Sequence, residues 1–407
     1  MNKNLNRREF LKLVGAVSFS TAVGPDTVQA KEKPPSQFLL PNIPDNLLYL
    51  EQEKRLFEKS VEAGTETAEV LKMKETMEWL METINFHPGE LAKYLKDNLI
   101  EKTETHILTV DTGVDLENPN IDSGQILGVG EEAGSDLQLP QGHGTLMCQA
   151  LCGTGFNDTV KAGPNLLNVA NIVPFVHVLN GWTDRNVPAN VPATKIATGI
   201  LDPNIITIVS ALHSILTDDL KEDDKKRYIE VVNDRQKLFI FSAGNSGNEG
   251  GYIANTVWSN NRNFPTEHTL AIGALGKNGQ PESYTSYKDG KFIDGKWTYF
   301  NMEGILFAPG YLPVLGNNND YEPAIIQGTS PAAHVVAQLA FLIQIINPDL
   351  TGVEIGKIIR ETAREVLVGD QKLVERYGNK IKIVDFDKAI YIAIVSKSNL
   401  YLPIAAN

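Results

Sequence analysis

Four short segments of this chain carry side chains that could do chemistry together. Asp111 closes the apolar run His106-Ile107-Leu108-Thr109-Val110 and opens Asp111-Thr112-Gly113-Val114-Asp115. His143 stands between two glycines in Gly142-His143-Gly144-Thr145. Ser330 lies in Gly328-Thr329-Ser330-Pro331-Ala332, and Asn245 in Ser242-Ala243-Gly244-Asn245-Ser246-Gly247. A serine hydroxyl becomes a nucleophile when a base takes its proton and a buried carboxylate orients that base. Hydrogen-bond donors must also face the oxygen on which charge develops. Ser330, His143 and Asp111 are of the types that fill the first three roles. The Ser330 backbone N–H and the Asn245 amide would supply the donors.

Each segment alone has an ordinary reading. An aspartate after a buried strand caps helices or forms turns. A histidine between glycines is a common loop residue. Ser-Pro before an apolar helix is a normal helix start. The combination is what points to chemistry, because each part is flanked by glycines that allow close approach.

The order Asp, His, Ser along the chain separates serine proteases of unrelated folds. With these blocks in this order, the sequence resembles the subtilase family over about residues 104–395. Val110-Asp111-Thr112-Gly113-Val114-Asp115 is similar to that family's Asp block, Gly142-His143-Gly144-Thr145 to its His block, and Gly328-Thr329-Ser330-Pro331-Ala332 to its Ser block. Ala243-Gly244-Asn245 resembles the strand end that supplies the oxyanion amide. Phe307-Ala308-Pro309-Gly310 is similar to the stretch before the Ser block, and Ile172 to Leu179 to the strand after the His helix. The resemblance implies a subtilisin-like serine endopeptidase acting on polypeptides through an acyl-enzyme. Its triad would be Asp111, His143 and Ser330, with Asn245 in the oxyanion hole. Because His143 must be neutral to accept a proton, activity is expected to rise with pH through about 6–7.

The chain departs from the family pattern in places. Leu146-Met147-Cys148-Gln149 replaces the usual His-Val-Ala-Gly, so Cys148 falls near His143 and mercurials are expected to inhibit. Ser210, Ala211 and Leu212, followed by His213, stand where the substrate-binding strand usually reads Ser-Leu-Gly-Gly, which narrows the expected pocket. Pro331-Ala332-Ala333-His334-Val335 replaces Met-Ala-Ser-Pro-His; Pro331 is tolerable because an early helical N–H has no intrahelical partner. No cofactor is needed for the chemistry. Structural calcium stays unassigned: Gly155-Phe156-Asn157-Asp158-Thr159-Val160 lies where many subtilases bind it, but also reads as a plain surface turn.

Positioning these residues requires a particular scaffold. Short apolar runs near Val173, Ile205-Ile206-Thr207-Ile208-Val209, Leu238-Phe239-Ile240-Phe241 and Thr269-Leu270-Ala271-Ile272-Gly273 alternate with helix-like stretches. Such runs predict an α/β fold, a parallel sheet with helices on both faces, in the manner of a three-layer sandwich. Active residues then gather at the carboxyl ends of the strands, where Asp111 and Asn245 stand. A long apolar helix is expected from Ser330 through about Ile346. Residues 45–100 read as helical, with Gly64 as a break. Cys148 and Cys152 share one helix face, with Cβ atoms ~6 Å apart when a disulfide needs about 4 Å, so both are expected as buried thiols.

The 407 residues are 42% hydrophobic and 21% charged, a composition that favours a globular core over disorder. The formal net charge of −13 argues against a broad nucleic-acid surface, which needs clustered Lys and Arg. At the N-terminus, Arg7-Arg8-Glu9-Phe10-Leu11-Lys12 resembles a twin-arginine export signal. An apolar stretch from Leu13 to Val23 and a small-residue site at Val28-Gln29-Ala30 follow. The stretch falls short of the about 20 apolar residues of a permanent span. The expected organisation is a signal peptide (1–30), a helical extension or pro-segment (31–100), a peptidase domain (101–395) and a tail (396–407). The expected partners are polypeptide substrates and the twin-arginine machinery, and the expected location is periplasmic or extracellular.

Two rival readings exist. Asp111-Thr112-Gly113 and Asp122-Ser123-Gly124 match the short motif of aspartic proteases, but that leaves His143 and Ser330 unexplained. A non-catalytic binding protein of the same fold would account for the altered cleft residues, but not for four ordered chemical blocks.

Overall fold

Runs of β-branched and aromatic residues between turns build the strands of this protein, and their burial on two sides sets the fold. The computed structural model describes residues 68–97, 105–128, 142–154, 175–180, 182–184, 187–188, 202–211, 236–245, 247, 266–293, 296–301, 304–316 and 323–398. The signal-like segment, the Gly64 break and the 155–160 turn lie outside them.

Helices α1 (Ala68–Thr83) and α2 (Pro88–Asp97) come first. Strands β1 (His106–Asp111) and β2 (Ile126–Gly128) follow, then helix α3 (His143–Cys152) and β3 (Phe175–Asn180). After a small pair, β4 (Trp182–Asp184) and β5 (Val187–Pro188), come β6 (Ile205–Ser210), β7 (Leu238–Ser242) and β8 (Thr269–Leu275). The hairpin β9 (Lys288–Ile293) and β10 (Lys296–Asn301) precedes β11 (Leu306–Pro309). A second hairpin, β12 (Tyr311–Leu315) and β13 (Pro323–Gln327), leads into α4 (Thr329–Ile346). The last described elements are α5 (Gly352–Thr362), β14 (Arg364–Leu367), α6 (Gln371–Tyr377), β15 (Lys380–Ile383) and α7 (Phe386–Ser398).

Nine strands form one sheet in the order β14-β15-β11-β8-β7-β6-β1-β3-β2. Neighbours run parallel except β14 against β15. The chain passes from β1 out to the edge strand β2, back to β3, then across β1 to β6. β1 is therefore the point where the winding reverses, and ligands bind beyond the carboxyl ends of strands at such a point. Asp111 is the last residue of β1, level with Asn180 on β3.

Alternate residues of a strand face opposite sides of the sheet. Leu238 and Ile240 join the large core around α4, while Phe239 and Phe241 are also fully buried and stack 6.0 Å apart. In β11, Leu306 and Ala308 face that large core, and Phe307 belongs to a second cluster with Leu275, Ile381 and Ile383. Leu373, Val374 and Tyr377 of α6 pack on this second cluster. Both faces of the sheet are thus covered, as the apolar runs require.

Helix α4 is the centre of the large core. It packs on β6, β7, β8 and β11 and on α3, α5 and α7. It is long and apolar enough to cross a membrane, yet all of it is buried inside the fold.

The two helices ahead of β1 share this core. Met77, Leu80, Ile84, Phe86, Leu91 and Leu95 are buried in the same cluster as α4. The break between the helices comes at Asn85, whose φ of 53° is left-handed, a conformation asparagine tolerates better than most residues. This turn docks on the start of α7. The backbone N–H groups of Phe386 and Asp387 donate to the carbonyls of Ile84 and Asn85, at 2.9 and 3.2 Å. Arg364 donates to the Thr83 carbonyl at 2.6 Å, and His87 pairs with Asp387. The rings of Phe86 and Phe386 lie 5.3 Å apart. From Ala68 onward, then, the segment read as a helical extension has no core of its own.

Phe86→Ala is expected to destabilise the protein by about 3–5 kcal/mol through the cavity it leaves. Urea unfolding of variant and wild type measures this; a loss below about 1 kcal/mol would make the turn peripheral.

Candidate active site

The Asp and His blocks meet at the end of β1. Asp111 is fully buried, and its Oδ1 lies 2.6 Å from His143 Nδ1. The same oxygen accepts the Thr112 N–H at 2.8 Å. The His143 side chain keeps 37% exposure, so the ring reaches from a buried carboxylate to solvent. An acceptor on Nδ1 requires the proton there in the neutral ring, which leaves Nε2 free to take one.

Two further contacts lock the blocks together. His143 is the first residue of α3, entered through Gly142 with a left-handed φ of 47°. The Gly144 N–H donates to Thr112 Oγ1 at 2.8 Å, and the Asp115 N–H to Thr145 Oγ1 at 2.8 Å. Gly144 admits no side chain, because a Cβ there would meet the Gly113 carbonyl at 2.0 Å. This close approach seats the His helix on the Asp loop.

Ser330 occupies the first turn of α4 and is 6% exposed. The residue before the helix, Gly328, has φ 155° and ψ 178°, a region open essentially to glycine. Gly328 lacks a side chain to cap the helix. Asn245, 84 residues away, does so instead: its Oδ1 accepts the Thr329 N–H and the Thr329 hydroxyl, each at 2.9 Å. With Oδ1 held this way, the Asn245 NH₂ group turns towards Gly328, where a Cβ would lie 3.3 Å from Nδ2. The Gly244 N–H donates to Thr329 Oγ1 at 3.1 Å, completing the clasp. The Asn245 amide and the positive end of α4 therefore lie together, a suitable arrangement for a developing oxyanion.

The cleft residues expected from sequence are placed differently from one another. Ser210 is fully buried, so its hydroxyl does not line a cleft. Ala211 is half-buried beyond β6, and its carbonyl lies 3.4 Å from Ser242 Oγ. Leu212 lies outside the described residues. Cys148 and Cys152 are free, buried thiols, as expected. Burial pushes the Cys152 thiol well above its usual range. The expected mercurial sensitivity at Cys148 is corrected by the same fact, since a fully buried thiol offers no access to the reagent. Among the described residues no group of three or more His, Cys, Asp or Glu is placed to hold a metal ion, and the 155–160 turn is not among them.

Several residues that shape the site gave no chemical signal in sequence. Buried Gln149 of α3 accepts from Asn120 Nδ2 and the Leu315 N–H, and donates to the Leu315 carbonyl, tying the His helix to the hairpin before Ser330. Thr112, Thr145 and Thr329 stand inside the motif blocks, and their hydroxyls make the links described above. His334 is fully buried one turn after Ser330.

The model of the Subtilase family matches residues 103–379. Mycosin-1 of Mycobacterium tuberculosis is 25% identical over 299 residues, covering 66% of this chain. The match spans 65% of Mycosin-1, less than two thirds of that relative's own length. Among solved structures, the prenylagaramide maturation protease PagA aligns with a TM-score of 0.52 at 15% identity, over 74% of this chain and 98% of that one. The A-subunit of the AB5 toxin from E. coli aligns with a TM-score of 0.50 at 15% identity, over 78% and 99%. At these identities the two structures speak to the fold alone.

Burial lowers the His334 pKa from 6.5 to about 4, against an opposing pull from Asp111. Between these values the unfolded chain takes up a proton that the folded chain refuses. Stability is therefore full above about pH 6.5 and falls as pH drops to about 4, by about 3 kcal/mol in total from this residue. Urea unfolding at pH 7, 5.5 and 4.5 should show a shallower fall in His334→Leu than in wild type. Parallel slopes would refute it.

Proposed function

The chain belongs to the subtilase family, and from that premise we propose that it is a serine endopeptidase using Asp111, His143 and Ser330, with Asn245 as an oxyanion donor. The observation that carries this reading is the buried Asp111 carboxylate bonded at 2.6 Å to the partly exposed ring of His143. The Asn245 clasp at the start of the Ser330 helix supports it further.

On this reading, Ser330 Oγ attacks the carbonyl carbon of a peptide bond while His143 Nε2 takes the hydroxyl proton. The carbonyl oxygen becomes an oxyanion and receives hydrogen bonds from the Ser330 N–H and Asn245 Nδ2. The tetrahedral intermediate collapses, the C–N bond breaks, and His143 returns the proton to the departing amine. Water, activated by the same histidine, then hydrolyses the acyl-enzyme and restores the hydroxyl. Asp111 stays ionised, holds the ring in its Nδ1–H form and stabilises the imidazolium. The chemistry calls for no cofactor.

Residues 1–30 would direct export through the twin-arginine machinery, placing the protein in a periplasm or outside the cell. Residues 101–395 would form the peptidase domain and 396–407 a tail. Within 31–100, the burial of α1 and α2 favours a removable pro-segment that ends before Ala68.

Purified protein should react with a fluorophosphonate and hydrolyse casein, and Ser330→Ala should lose both, with turnover falling by about 10⁶-fold. Asn245→Ala should keep fluorophosphonate labelling at a reduced rate and lose about 10²–10³-fold in kcat. A folded wild type, freed of residues before Ala68, that takes no label would overturn the proposal.

A further inference from the structure

Beneath these residues lies a second histidine that the reaction does not use. His334 sits one helical turn beyond Ser330 on α4 and has no solvent exposure. Its Nδ1 lies 3.0 Å from the Ser330 carbonyl oxygen and its Nε2 3.2 Å from Thr109 Oγ1. A carbonyl oxygen only accepts, so Nδ1 carries the proton and donates. Nε2 of the neutral ring is then bare, so it accepts and the Thr109 hydroxyl donates. Both bonds need this one tautomer of the neutral ring. Burial favours it, holding the ring neutral down to about pH 4. The charged groups acting on the ring are Asp111, which favours protonation, and His143, which opposes it.

The partners are significant for where they sit. Thr109 stands two residues before Asp111 on β1, so the two side chains leave the same face of the strand. Ser330 belongs to the first turn of α4. Helix geometry already directs the His334 backbone N–H to the Ser330 carbonyl, and the ring supplies a second donor to that same oxygen. One imidazole thus ties the strand that ends in Asp111 to the turn that presents Ser330. The other residues of α4 from Pro331 to Ala337 are apolar, and an aliphatic side chain at 334 would bring no polar atom of its own into the core.

We propose that His334 is a positioning residue, which, with Thr109, sets the orientation of the Ser330 peptide relative to the Asp111–His143 pair. The inference rests on the serine protease reading above. If the ring is lost, the Ser330 peptide is free to tilt on the end of α4, moving both the hydroxyl and the oxyanion N–H. Reacting groups must be held to within about 0.5 Å, and a 1 Å error costs about 10²-fold in rate.

The test uses His334→Leu, His334→Gln and Thr109→Val in the full chain, beside wild type. Leucine fills the space without polar atoms, glutamine can donate and accept at once, and valine removes the Thr109 hydroxyl at nearly constant shape. H334L and T109V should each lower kcat by about tenfold or more with KM within about twofold, and the double variant should be no worse than H334L alone. H334Q should recover to within about threefold of wild type. Lowered melting temperatures with wild-type kcat in H334L and T109V would reduce His334 to a structural role and overturn the proposal. So would H334Q as slow as H334L. A readout independent of turnover is ¹⁵N-imidazole NMR. Wild-type His334 should remain a neutral Nδ1–H ring from pH 5 to 8, and the His143 ring signals should shift in H334L and T109V. Unmoved His143 signals would overturn the positioning role even in a protein that hydrolyses nothing. Failure of wild type, freed of residues before Ala68, to take fluorophosphonate would instead strike the serine protease reading.

Discussion

A helix buried along its whole length must satisfy its end groups inside the protein, and α4 is such a helix. Its first N–H groups have no partners within the helix, and water does not reach them freely. The residue before it, Gly328, cannot cap it and must be glycine for its backbone conformation. The solution comes from the end of β7, where Asn245 accepts from both Thr329 groups. This cap does two things at once. It satisfies the buried helix end, and it fixes which way the Asn245 NH₂ group faces. The orientation of the Asn245 amide, the proposed oxyanion donor, is thus coupled to the packing of α4.

The Asp111–His143 side is built by a different route to the same rigidity. There the constraint is close backbone approach, Gly144 on Gly113, reinforced by two threonine hydroxyls. Gln149 then carries the position of α3 across to β12, whose hairpin partner β13 feeds Gly328. His334 spans the two halves from below, through Thr109. β1 lies between β3 and β6 at the reversal of winding, so both halves are tied to an interior strand of the sheet. The Asp111, His143 and Asn245 side chains come from distant parts of the sequence, and each is held by at least one hydrogen bond across that distance.

What could be read from the sequence follows the same physics. Strands at Ile205, Leu238 and Thr269 were legible because burial on both faces leaves continuous apolar runs. Asp111, His143, Asn245 and Ser330 were legible as types in glycine-flanked blocks, and the Asp111–His143 contact follows from their pairing. Of the strand read near Val173, the described part is Phe175–Asn180. Gln149, Thr329 and His334 were not legible as site builders, because a buried polar residue is explained only by its partner, and theirs lie up to 225 residues away. Cys148 was legible as a buried thiol, but a helix with apolar residues around much of its surface did not show it to be too enclosed for a mercurial to reach.

The N-terminal helices show the same limit and lead furthest. Their apolar residues at Met77, Leu80 and Ile84 repeat at helical spacing, which indicates a buried stripe but not the surface that covers it. That surface is the sheet's own core and the start of α7, so the first described helices and the last are bound to each other. Arg364, Asp385 and Asp387 all make contacts to the turn at residues 83–87. Such a closure joins the first and last described helices within the core of α4, the helix on which Ser330 sits. Loss of α1 and α2 would strip the hairpin β12–β13 of the Trp79–Tyr311 contact and uncover the core that these helices share with α4. A segment shed on maturation would therefore have to end before α1, because the helices beyond that point are packed into the core that carries α4.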